Sequence, residues 1–406
     1  SIPVHGRLYY FYYEVNENYV DFLEPKVTEA FLRSVHQQYK RRLGSYIESL
    51  AGFFTDEPQI SSGGYPWTPS LPAEYQKQYE ESLLEKLPDL FFHSETAYRT
   101  RIRFWRLITE LFAKRYTKQV AGWCHENGLQ LTGHLAYEKT MTGRLTANGT
   151  CMPQYACFDI PGIDWPGRRV SDCLTVLQAA SVAHQLGKRQ ILSESFAMCG
   201  WNVSFEELRR IAEYQMVHGV TLLCQHLAPY SLGGIRKRDA PAALFVQQPW
   251  WKEYRHFNDF ISRVGMLLTL GNVHFSVLVL HPQQSAWALY DGSETSRAEI
   301  DRLNSALRST VQTLEHAQIP FHLGDDQMLS QHASIEGNRL CVGAQRYRAV
   351  IISPCLSLDA RVAALLAQFA QNGGTILCAE AEEPKAQAAV CLLYTSPSPR
   401  DVEESR

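Results

Sequence analysis

"GFFTDEPQI" occupies residues 52–60, and its reading decides the fold. A short apolar run of strand-forming residues ends here on Asp56-Glu57-Pro58 rather than on the Asn, Gly or Ser of an ordinary turn. The pattern recurs downstream. "LQLTGH" (129–134), "YACFDIPGID" (155–164), "RQILSES" (189–195) and "VTLLCQH" (220–226) are each a short apolar run that finishes on a chemically capable group: His134, Asp164, Glu194 and His226. "LYYFYY" (8–13) reads as one further strand ahead of them. Helical periodicity fills the gaps. Residues 26–43 carry Val27, Phe31, Val35, Tyr39 and Leu43 in steps of four, with Gly44 as the stop. Further helices are expected over 73–87, over 95–126 with Gly128 closing it, and over 171–186 with Ser171 as N-cap. "SFEE" (204–207) is a capping box that opens a helix running to His218.

Strands alternating with helices predict βα units and a parallel sheet. In a parallel sheet closed into a (β/α)8 barrel, all C-terminal strand ends share one mouth. Six strands are expected between residues 8 and 226, so a barrel of eight would have its first two before residue 1. The abrupt start, "SIPVHGRLYYFYYEV", fits a chain that begins in mid-domain. After a closing helical segment at 248–271 the pattern changes. "FSVLVLHP" (275–282), a helix through 297–316, "IPFHL", "YRAVIISP" (347–354), a helix at 357–371 and "GGTILCAE" (373–380) form a smaller open α/β domain. The expected division is therefore a barrel lacking its first strands at 1–271 and an α/β domain at 272–390. The tail at 391–406, "CLLYTSPSPRDVEESR", reads as translated vector sequence or a disordered end.

Composition excludes several classes. With 39 basic and 42 acidic residues and a formal net charge of −3, there is no nucleic-acid footprint and no polybasic membrane patch. No run approaches the ~20 apolar residues of a membrane span. None of the ten cysteines are in C-x-x-C spacing, so the linear sequence gives no zinc or thioredoxin-type motif. Several lie in apolar runs, which favours buried free thiols in a reducing compartment such as the cytoplasm. The chain does not begin with Met, which leaves the compartment open.

Carboxylates at strand ends suggest glycosidic chemistry. Cleaving a glycosidic bond takes two flanking carboxyl groups: one protonates the leaving oxygen, and the other attacks the sugar carbon or activates water. Neighbours on a strand point to opposite faces, so Asp56 and Glu57 are not the pair. The partner of Glu57 must come from another strand end, and Glu194 is the best placed.

With those residues in hand, the chain resembles the clan A glycoside hydrolases, in which a Glu-Pro ends the fourth barrel strand and a Glu ends the seventh. The resemblance implies Glu57 as acid/base and Glu194 as nucleophile. "VDFLEP", "FFTDEPQ", "LTGHLAYE", "PGID" and "QPWWKEY" also resemble large bacterial glycosyl hydrolases related to the α-L-rhamnosidases. The 275–380 region resembles the trimerisation domain, of glutamine-amidotransferase-like fold, in some clan A β-galactosidases. That implies a carbohydrate substrate and assembly into a homo-oligomer through the second domain. Clan A has Asn before its acid/base, whereas this chain has Asp56. A second negative charge there raises the pKa of Glu57, as suits an acid. It could equally coordinate a divalent cation such as calcium, as the rhamnosidase-like relatives suggest; no other cofactor is expected.

Each candidate has a plainer reading. Glu57 could cap a helix or pair with an arginine, and Glu138 could be a loop salt bridge rather than a substrate or cation ligand. His134 and His226 could bind sugar hydroxyls or be structural. Trp67, Trp165 and Trp201 are expected in loops at the mouth, where they could stack on a sugar or anchor a lid. Trp250 and Trp251 read as helix packing, and turn chemistry alone accounts for Asp164. Cys355, flanked by Pro and Leu in "SPCLS", lacks the small neighbours of a nucleophile elbow. The expected activity is a glycoside hydrolase acting on oligo- or polysaccharides. The alternatives are a catalytically silent carbohydrate-binding or scaffold protein, and a cation-dependent α-L-rhamnosidase-type hydrolase.

Overall fold

Residues 8–379, apart from 62–63, 171, 239 and 242–243, are described in a computed structural model. Ser171 and the 391–406 tail therefore lie outside the described residues. Five short strands, β1 (Gly52–Thr55), β2 (Gln130–Gly133), β3 (Ile160–Trp165), β4 (Leu192–Ser195) and β5 (Leu222–Gln225), pair side by side in chain order. All four pairings are parallel, and the sheet curls into a half-barrel. Gly133 shows why so tight a curl tolerates no side chain at the end of β2. Its φ is +138° and a Cβ there would lie 2.0 Å from the Thr55 carbonyl oxygen. The close approach lets the next amide, that of His134, donate to the same oxygen at 3.2 Å.

The expected strand at 8–13 does not form. Leu8–Tyr13 are irregular and exposed, so the described sheet has five strands and not six. The aromatic run packs sideways instead: Tyr9 sits 4.5 Å from Phe92 and Phe11 5.4 Å from Phe91, ring to ring. The 26–43 helix is two helices, Pro25–Ser34 and His36–Leu43, broken at Val35. The 95–126 segment is long and helical, yet residues Ala113–Thr117 form a π-helical turn between Ala97–Phe112 and Lys118–Glu126. Tyr116, in that turn, hydrogen-bonds Thr55 Oγ1 at 2.6 Å, directly below the Asp56-Glu57 corner.

The second half contains a four-stranded parallel sheet of β6 (Val277–Leu280), β7 (Phe321–Gly324), β11 (Ala349–Ile352) and β12 (Thr375–Cys378), in the order β12-β11-β6-β7. A three-stranded antiparallel sheet, β8 (Ala333–Glu336), β9 (Arg339–Val342) and β10 (Gln345–Tyr347), lies beside it. The reading of the sequence missed this hairpin pair. Its signal was present in Gly337 and Gly343, both with positive φ between short alternating runs.

One apolar core runs from Phe22 to Ile351 and crosses the residue-272 position without interruption. The helix Leu174–Gln185 is buried on nearly all sides because β3 packs on one face and β7 on another. Trp287 is fully buried and donates its indole N–H to the Gly149 carbonyl at 2.8 Å. Arg106 bridges to Asp359 and to Gln284, each at 2.7 Å. No helix among the described residues is long and apolar enough to cross a membrane.

Candidate active site

The C-terminal ends of β1, β2, β3 and β4 bring the acids together. Alternation along β4 decides where each side chain goes. Ser193 and Ser195 turn inward to a buried cluster with Gln215, which aims Glu194 the other way. There Glu194 Oε2 meets His134 Nε2 at 2.8 Å. Asp56 Oδ1 lies 3.4 Å from the same nitrogen. The His134 side chain is only 2% exposed, whereas that of Asp56 is 77% exposed, so the imidazole is fixed and the aspartate faces solvent.

Glu57 leaves β1 with φ +43°, the left-handed region, immediately before a proline. A non-glycine residue there costs on the order of 1–3 kcal/mol, and such strain gathers at working sites. Glu57 is not alone: Tyr137, Phe196 and Met198, on the loops leaving β2 and β4, share the left-handed conformation. Of the seven such non-glycine residues described, four sit at this mouth.

Electrostatics sort the carboxyls. Partial desolvation, with the Asp56 and Glu194 charges, raises the pKa of Glu57 despite the opposing pull of His134. Glu194 goes the other way: its hydrogen bond from His134, with the charges of His134 and His226, holds its pKa down. For His134 burial favours the neutral ring, but the bond to Glu194 and the charges of Glu138, Asp164 and Glu194 lift it to about 9. Asp164 is pushed up to about 6, mainly by burial.

Glu138 stands behind this group rather than in it. It is buried, and its oxygens accept from the Leu135 amide (3.0 Å), the Tyr155 hydroxyl (2.5 Å) and the Asp164 amide (3.2 Å). Burial raises its pKa to about 7. It ties the end of β2 to β3 and so positions His134 from below. His226 anchors the end of β5 by donating its amide to the Ser195 carbonyl at 2.8 Å.

Among the tryptophans, Trp201 is the exposed one at the mouth, with its indole N–H on the Lys237 carbonyl at 2.9 Å. Trp165 is not in a loop: it is the last residue of β3, 4% exposed and packed on Tyr214. The alternation of β3 turns it into the core. Trp67 stacks on Tyr13, and Trp250 and Trp251 pack against Phe205 and Tyr254. Cys355 is buried with its thiol pushed up to about 12, no condition for a nucleophile.

Three neighbours of the mouth were invisible to pattern reading. Tyr19, whose hydroxyl accepts from the Gln59 amide at 3.1 Å, has its pKa raised chiefly by burial and further by the nearby charges of Glu57 and Asp56. Tyr137 and Met198, each 67% exposed, lie on the loops that leave β2 and β4. No spacing marks any of them; only the loop geometry places them.

Asp56, His134 and Glu194 also bring three ligand atoms within 4.8 Å of one another, which is within reach of a metal ion.

Comparison with known proteins gives three findings. A family model described as alpha-L-rhamnosidase matches residues 14–300. A protein of Formosa agariphila, named in provisional terms as a beta-glucuronidase, is 24% identical over 277 residues, which span 66% of this chain and 23% of that protein. Among solved structures, a rhamnosidase from Novosphingobium sp. PP1Y aligns with TM-score 0.64 at 17% identity, over 93% of this chain and 36% of that one. Gan42B, a GH42 beta-galactosidase from G. stearothermophilus, aligns with TM-score 0.59 at 14% identity, over 88% and 55%. The chain thus spans about a quarter of the curated relative and between about a third and a half of these structures. At such identities the structural likeness speaks to the fold.

Proposed function

The chain belongs to the alpha-L-rhamnosidase family of glycoside hydrolases, and from that footing we propose that it hydrolyses O-glycosidic bonds with Glu57 as general acid and Glu194 as its ionised partner. The observation that carries this is the convergence of the Asp56-Glu57 corner and Glu194 on the His134 ring at one mouth, where burial and neighbouring charges raise the pKa of Glu57 and the bond from His134 lowers that of Glu194. Environments that push paired acids apart divide the roles of proton donor and anion between them. Glu57 gives its proton to the leaving oxygen as the bond to the sugar carbon breaks. Glu194 either bonds to that carbon, giving a glycosyl intermediate that water later opens, or takes the proton of an attacking water. A carboxyl separation of about 5–5.5 Å goes with the first course and about 6.5–9.5 Å with the second. His134 keeps Glu194 ionised. Tyr137, Met198 and Trp201 offer flat or apolar faces to a sugar ring, and the family description makes a terminal α-L-rhamnosyl unit the first candidate substrate. The curled sheet is read as one side of a (β/α)8 barrel over 1–271. Residues 272–390 are read as a glutamine-amidotransferase-like domain through which copies of the chain assemble.

A second reading adds a divalent cation at Asp56, His134 and Glu194. Two of these donors are carboxylates, which suit a hard cation such as calcium. The third is a ring that shares its Nε2 proton with Glu194 at 2.8 Å. Cation binding and the imidazolium–carboxylate pair are therefore alternatives, and binding would release a proton.

The test is a panel of nitrophenyl glycosides, the α-L-rhamnoside among them, with Glu57→Gln and Glu194→Gln beside the native protein. Each substitution is expected to cost roughly 10²–10⁴ in kcat. Full activity in both would remove the assignment. Loss of activity on chelation, restored by calcium, would favour the cation reading.

A further inference from the structure

Apart from the acids of the mouth, three chain segments converge on one oxygen atom. Cys173 is the N-cap of the helix Leu174–Gln185, and His218 is the C-cap of the helix Phe205–Val217. Glu315 lies in the last turn of the long helix Glu294–His316 from the second half of the chain. Glu315 Oε1 is 2.7 Å from His218 Nε2 and 3.0 Å from Cys173 Sγ. One ligand atom from each residue lies within 4.8 Å of the other two.

The orientation of the histidine is the informative detail. Its Nδ1 is 2.6 Å from the Tyr214 carbonyl oxygen, which can only accept, so Nδ1 carries a proton. In the neutral ring Nε2 then holds a lone pair that faces a carboxylate oxygen. Two acceptors at that distance require a cation between them, either a second proton or a metal. A ring N–H given to a carbonyl is the usual way a protein orients a metal-binding imidazole. The site also lies at two helix C-termini, those of Phe205–Val217 and Glu294–His316, where the backbone favours positive charge. The N-terminus of Leu174–Gln185, at Cys173, in turn suits the negative charge of a carboxylate or thiolate. The charged neighbours are Asp172, which is paired with Arg308 at 2.5 Å, and His316.

We propose that Cys173, His218 and Glu315 form a zinc-type metal clip that fastens the long helix of the second half to two helices of the first. A thiolate, an imidazole and a carboxylate are the mixed donor set of a borderline ion, and three protein ligands leave a fourth position for water. Donors held tetrahedrally by one zinc sit ~3.3–3.6 Å apart, so the present contacts would open by roughly 0.6 Å as the ion enters. Entry displaces the thiol proton of Cys173 and the proton shared by His218 and Glu315.

The full chain, stripped with a chelator, is titrated with Co²⁺ and then Zn²⁺. The expected result is one equivalent of Co²⁺ giving a thiolate-to-metal charge-transfer band that Zn²⁺ abolishes. A hundredfold excess of zinc over Kd should raise Tm by about 3 °C. Cys173→Ser should lose both effects. Glu315→Gln, which keeps a hydrogen-bonding group at a partly exposed position, should fold normally and bind at least tenfold more weakly. The Asp56–His134–Glu194 group has no sulfur and cannot produce the band. Absence of the band in the native chain, or its persistence in Cys173→Ser, would overturn the proposal.

Discussion

Replacing Glu194 by glutamine tests the centre of the site with a readout that needs no sugar. His134 is held at about 9 against an ordinary 6.5, a gap of about 2.5. At 1.36 kcal/mol for each pH unit, the surrounding acids favour the imidazolium by about 3 kcal/mol net of burial. Glu194 contributes twice, through the 2.8 Å hydrogen bond and through its charge. Glu194→Gln removes the charge and weakens the hydrogen bond, leaving Glu138, Asp164 and the exposed Asp56 to oppose desolvation. The His134 midpoint should fall by about 1–2 pH units. The assay is an NMR titration of histidine-labelled protein, with the His134 signal assigned by its loss in His134→Asn. Stability carries the same signature. A histidine with a raised folded pKa contributes stability that is whole below 6.5 and lost as pH rises through about 9. The raised acids Asp164 and Glu138 act near 6 and 7, and the buried thiols, raised by burial, take over as pH climbs toward 9, so the His134 share of the loss is read as the difference between the native and variant curves. In the variant that loss should shift to lower pH. A midpoint still near 9 would refute the pairing as the source of the raised value.

Asp56→Asn should lower the pKa of Glu57, because the Asp56 charge is one of the groups raising it. The alkaline limb of the kcat/KM profile should then move to lower pH while the acid limb, set by Glu194, holds its place. Trp287→Ala removes a fully buried ring and its bond to Gly149, and should cost about 3–5 kcal/mol in urea denaturation. Ser204→Ala breaks a capping box in which both reciprocal bonds are present, and should cost about 1 kcal/mol by the same assay, with activity unchanged.

Much of this was legible in the residues. Short apolar runs ending in an acid or a histidine located all five strands of the curl, because a parallel strand is read from its length and its terminating residues. The capping box at Ser204 and the glycine stops at 44 and 128 came through because they are local, with φ values of +56° and +70° at those glycines. What failed was whatever depends on partners. "LYYFYY" has strand composition, yet among the described residues no strand pairs with it and it packs on Phe91 and Phe92 instead. The β8–β10 sheet was lost in a stretch of low hydrophobicity. At the site the sequence named Asp56, His134 and Glu194 as separate strand ends but could not join them. Their union is a matter of sheet curvature and of side-chain direction. The Cys173–His218–Glu315 group is more distant still, since its members share no motif and meet only because the two halves pack together.

The π-helical turn at Ala113–Thr117 has a consequence for how the mouth arose. A wide turn of this kind is the scar of a single extra residue accommodated inside an otherwise regular rod, and such scars are common where proteins work. Excising that residue would close the turn into ordinary α-helix, leaving the flanking stretches in register and re-aiming only the residues of the turn itself. Tyr116 would lose its hold on Thr55 and the corner bearing the acids would lose its prop. A one-codon deletion there should leave the scaffold standing and silence the chemistry.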